Sequence, residues 1–77
     1  MASIRFIWDY YGEPALKTAE HHSKHLMEFA KGRNLKVHQT GFEELRENRA
    51  LAFILLTEEE AKELKDILRP HRAEKME

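Results

Sequence analysis

The sequence predicts an α+β domain, a three-stranded sheet in the order 1-3-2 with two helices on one face. Three observations carry this. Residues 3–11 alternate as a half-buried strand does. Residues 14–31 repeat their apolar positions at helical spacing. Residues 50–56 (ALAFILL) are apolar at every position, as expected of a central strand buried on both sides.

The first strand sets Ile4, Phe6, Trp8 and Tyr10 against Arg5, Ile7, Asp9 and Tyr11. Aromatic and β-branched residues at period two favour a pleated surface with one face inward. Gly12-Glu13-Pro14 interrupts it, and proline has its φ preset for a first helical turn. In the following helix Ala15, Ala19, Leu26, Phe29 and Ala30 fall on one side, with Lys17, Lys24, Glu28 and Lys31 opposite. Gly32 is the expected left-handed stop.

Leu35–Thr40 alternates weakly and reads as an edge strand, ending near Gly41. The acidic segment 42–48 reads as a connection with a short helical turn. Thr57 followed by Glu58, Glu59 and Glu60 is the sharpest local signal. A threonine with glutamate three residues later is a capping box, and the three carboxylates sit at the positive end of the helix dipole. Ala61, Leu64, Ile67 and Leu68 form the inward stripe of that helix, and Pro70 ends it.

The result is a two-layer β-α-β-β-α sandwich. It resembles a ferredoxin-like fold lacking the last strand, a resemblance of architecture alone. Residues 1–70 form the domain, and 71–77 are expected to be a flexible C-terminal tail. In this arrangement Leu51, Phe53 and Leu55 join Ile4, Phe6 and Trp8 under the helices. The open face carries Arg5, Ile7, Asp9, Ala52 and Ile54. An uncovered apolar centre on that face, together with a first strand left unpaired at the edge, predicts a homodimer built on these five residues.

Composition narrows the function. The chain has 77 residues, 35% of them charged, with a net charge of −1. That balance argues against nucleic acid, which asks for a basic stripe. With no cysteine there is no disulfide or thiolate chemistry, in keeping with a cytoplasmic setting. No apolar run reaches the length of a membrane span, and no signal peptide is expected.

Candidate chemistry is sparse. His21 and His25, four apart on a helix, are neighbours on one face and suit a transition-metal clamp. Glu28, His38 or Asp9 are the candidate third donors. His22 falls at the edge of the apolar stripe, where an imidazole hydrogen-bonds a neighbour. Tyr11, Asp9 and His38 are candidates for a small polar pocket at one sheet end. No glycine-rich phosphate loop and no nucleophile-base-acid set is present, and no reaction or cofactor is indicated. The sequence therefore points to a small homo-oligomeric binding or regulatory module rather than an enzyme, with a metal-binding protein using His21 and His25 as the alternative.

Overall fold

The computed structural model describes residues 3–35 and 39–76. The elements run β1 (Ser3–Tyr11), α1 (Ala15–Arg33), β2 (Gln39–Arg46), β3 (Arg49–Thr57), α2 (Glu58–Leu68) and β4 (Arg72–Met76). The sheet is antiparallel and four-stranded, ordered β2-β3-β1-β4. The expected three-stranded sheet is thus corrected. The segment expected to be a loose tail supplies a fourth strand, which pairs with β1 from Ser3↔Met76 to Ile7↔Arg72.

β3 is central as expected, but its phase is reversed. Cross-strand partners in an antiparallel pair project to the same side. Ile4, Phe6, Trp8 and Tyr10 face Leu56, Ile54, Ala52 and Ala50. These join Ala15, Ala19, Leu26 and Ala30 of α1 and Ala61 and Leu64 of α2 in one core. Ala52 and Ile54, expected on the open face, are therefore under the helices with no exposed surface. Leu51, Phe53 and Leu55 point the other way. Alanines on both sides of the contact let α1 lie close to β3. No Cα of α1 comes within 8 Å of a Cα of α2. The bulky Phe6 and Trp8 side chains help fill the resulting space, their rings meeting edge-on with centroids 6.4 Å apart.

The second strand is also displaced. It begins at Gln39 and continues through Phe42 to Arg46, where a connection with a helical turn was expected. Residues 36–38 of the expected strand lie outside the described residues. Asn48 takes φ 60° in the tight turn to β3, a conformation asparagine tolerates, and its carbonyl accepts the Gly12 N–H at 2.8 Å. α1 runs through Gly32 and stops at Asn34, whose left-handed N–H bonds the Ala30 and Lys31 carbonyls. α2 opens with both hydrogen bonds of the capping box, Glu60 N–H to Thr57 Oγ1 at 3.1 Å and Thr57 N–H to Glu60 Oε1 at 3.0 Å.

Candidate functional site: the helix-free sheet face and the histidine cluster

The face of the sheet away from the helices carries alternate residues of all four strands. In β1 and β3 these are Arg5, Ile7, Asp9 and Tyr11 against Leu55, Phe53, Leu51 and Arg49. β4 adds Arg72 and Glu74, and β2 adds Gly41 and Glu43. No helix covers this face, yet Ile7 has no exposed surface and Leu51 only 3%. Neighbouring side chains do the covering. The Arg5 guanidinium lies 5.3 Å from the Phe53 ring centre, and that of Arg49 lies 5.2 Å from Tyr11. Both are cation–π stacks.

A chain of ion pairs crosses the same face between β1 and β4. Arg5 Nη2 meets Glu74 Oε1 at 2.6 Å, Arg72 Nη1 meets Glu74 Oε2 at 3.3 Å, and Arg72 grips Asp9 through Nε at 3.0 Å and Nη2 at 3.2 Å. The hydrogen bond from Arg5 holds the Glu74 carboxyl below its ordinary range, and the bond to Asp9 holds the Arg72 guanidinium above its own. Of the residues expected on the open face, Arg5, Ile7 and Asp9 are there. Arg49 differs from the other arginines of this face: its Nε is buried and has no hydrogen-bond partner among the described residues.

The second feature lies on the helix side, at the end of β1. The Tyr10 hydroxyl is 2.6 Å from His22 Nδ1. The His22 ring packs edge-on to Trp8, centroids 4.7 Å apart, and His71 lies 6.3 Å from the Tyr10 ring. Trp8 is held in turn by its indole N–H, which donates to the Leu68 carbonyl at 3.2 Å. His71 Nδ1 accepts the Asp9 N–H at 2.9 Å, fixing the ring at the entry to β4. Burial lowers the His22 pKa, and the neighbouring His25 and His71 lower it further. Burial also raises that of Tyr10. Both shifts favour one arrangement, a neutral phenol donating to a neutral imidazole.

His21 and His25 are exposed on α1, their ring centres 4.4 Å apart. Among the described residues no group of three histidine, aspartate or glutamate side chains is placed to hold a metal ion. Asp9, considered as a third donor and as a pocket residue, is committed to Arg72. His38 lies outside the described residues.

Sequence reasoning missed Phe53, Leu55 and Arg49 as open-face residues, and Arg72 and Glu74 altogether. One signal was present for the first three. Arg49 shares its parity with Leu51, Phe53 and Leu55, and a charged residue at the head of an apolar run marks the side facing water. No helix of the described residues is long and apolar enough to cross a membrane. In comparisons with family models, curated proteins and solved structures, the chain matches none of them.

Proposed function

We propose that this chain is a self-associating binding module, and that its helix-free sheet face is where two copies meet. The single observation that carries this is the make-up of that face. Phe53, Leu55 and Tyr11 stand beside Arg5 and Arg49, with Met76 at the margin. Aromatic residues, methionine and arginine are the types enriched at protein interfaces, and tyrosine and arginine dominate their hot spots. Tyr11 is 66% exposed and Met76 38%.

Charge and size support a second copy as the occupant. The face presents Arg5, Arg49 and Arg72 together with Asp9, Glu43 and Glu74, so it can match its own image across a two-fold axis. A net charge of −1 imposes little repulsion between copies. Strands of nine, nine, eight and five residues present about 500 Å² of sheet at the usual spacings. Two such faces bury about 1,000 Å², the lower bound for a specific interface. A reversible dimer is expected. The absence of cysteine fits a reducing compartment such as the cytoplasm.

Sedimentation velocity from about 1 µM to about 1 mM tests this. The wild type should shift from monomer to dimer. Phe53→Asp and Leu55→Asp should stay monomeric with unchanged circular dichroism. A wild-type chain that remains monomeric throughout removes the proposal.

The spacing of the His21 and His25 rings favours a second reading, a transition-metal clamp on α1 completed by water or by another copy. Calorimetric titration of tag-free protein with Zn²⁺ or Ni²⁺ decides it. Saturable binding abolished in the His21→Ala/His25→Ala variant supports the clamp. Binding that survives in the variant, or none in the wild type, ends it.

A further inference from the structure

On the helix side of the sheet, a trough of about 380 Å³ runs between α2 and β4, lined by Ile4, Phe6, Ala61 and Ala73 with Lys62, Lys65 and Glu58 at its rim. Its origin is in the sequence. Ala73 is the β4 residue that pairs with Phe6, and Ala61 is the α2 residue above them. Where larger side chains would close the layer, two methyl groups leave it open. No Cα of α2 lies within 8 Å of a Cα of β4, so the gap is not closed by backbone either.

The rim is electrostatically one-sided. Glu58 is already engaged by Lys75 at 3.6 Å. Lys62 and Lys65 have no ion-pair partner among the described residues, although Glu59, Glu63 and Asp66 share their helix. Two free ammonium groups thus stand over an apolar floor. An elongated apolar ligand with one anionic end satisfies both parts, its tail on Ile4, Phe6 and Ala73 and its head at the lysines.

We propose that this trough binds a free amphipathic carboxylate, of the chemical class of a medium-chain fatty acid. The apolar tail gains by leaving water, and the carboxylate gains charge-assisted hydrogen bonds from Lys62 and Lys65. An uncharged tail of the same length gains only the first. The site lies on the opposite side of the sheet from the proposed dimer face, so it is independent of self-association.

The test is a titration of ¹⁵N-labelled full-length protein, followed by amide shifts, with decanoate below its micelle concentration. Decanol serves as the uncharged control. Decanoate should give saturable shifts centred on Ile4, Phe6, Ala61 and Ala73, and decanol should bind at least about tenfold more weakly. Lys62→Glu/Lys65→Glu should abolish decanoate binding. Ala73→Leu should do the same by filling the trough while leaving both charges in place. Shifts that never saturate, equal binding of acid and alcohol, or binding that survives both variants would overturn the assignment. Vesicles of an anionic phospholipid form a separate arm, and shifts seen with vesicles but not with decanoate also count against it.

Discussion

The ring of Phe53 occupies the space above Gly41 on the neighbouring strand. A Cβ built on Gly41 would stand 2.9 Å from Phe53 Cζ and 3.0 Å from Cε2. The two residues are direct cross-strand partners, and Arg5 stacks on the same ring. Glycine, usually a weak choice within a strand, is here what allows an aromatic ring to lie across β2.

Gly41→Val tests that relationship against ordinary strand preference. Valine is favoured in strands, and on propensity alone the variant should gain stability. The branched side chain instead displaces the ring and the guanidinium on it. A loss of about 1–2 kcal/mol is expected from such overpacking, read as a lower denaturant midpoint. A gain would mean that the ring swings aside at no cost.

At the head of α2, the Thr57 hydroxyl accepts the Glu60 N–H, and alanine leaves that donor without a partner. Thr57→Ala should cost about 1 kcal/mol, a fall in melting temperature of about 4–8 °C for a domain of this size. Calorimetry reads it directly. A change within error would show that water replaces the cap.

How much of this was legible follows from the range of each signal. The capping box was readable because its partners are three residues apart, and β1 because Arg5 and Asp9 interrupt its aromatic and β-branched residues at even spacing. The run from Ala50 to Leu56 announced a buried strand, but every position in it is apolar, so only the flanking Arg49 carried its phase. What sets the phase is the alanine-lined surface of α1, which takes Ala50, Ala52 and Ile54 beneath it. β4 was unreadable for another reason. The segment 72–76 has two apolar residues, Ala73 and Met76, of opposite parity and so without alternation, and its place depends on Asp9 and Arg5, more than 60 positions away in the chain. The Tyr10–His22 pair lay between these extremes. His22 stood out at the edge of the helical stripe, but its partner had to come from another element.

β4 should be the first element to open. None of its residues is buried, and it is held by the ladder to β1, the ion pairs of Arg5, Asp9, Arg72 and Glu74, and the His71 anchor. Exposed pairs are screened by salt. Amide exchange in β4 should therefore quicken between low salt and about 1 M salt, while the β1–β3 ladder stays protected. Glu74→Gln should mimic the salt effect. Because the Glu74 carboxyl titrates below its ordinary value in the folded chain, its contribution is present above pH 4.5 and is lost as pH falls below that. Equal protection of β4 and β3 at all salt concentrations would contradict this.

Burial of the Tyr10–His22 pair makes the fold sensitive to pH from both sides. His22 protonates less readily in the folded chain than in the unfolded one, for which the ordinary value of 6.5 applies. Acidification through that value therefore loads protons onto the unfolded state first, and stability falls until folded His22 is protonated as well. Tyr10, raised above 10.0 by burial, acts in the opposite range, since the unfolded phenol ionises first and stability falls as pH rises past that value. His22→Gln should remove the His22 part of the slope between about pH 7 and pH 5. Tyr10→Phe should cost about 1 kcal/mol at neutral pH by depriving Nδ1 of its donor, and should abolish the alkaline limb due to this residue. Chemical denaturation at a series of pH values separates the two. A wild-type profile between pH 7 and pH 5 that His22→Gln leaves unchanged would show that the imidazole titrates alike in both states, and that its contact with Tyr10 contributes nothing to the choice of protonation state.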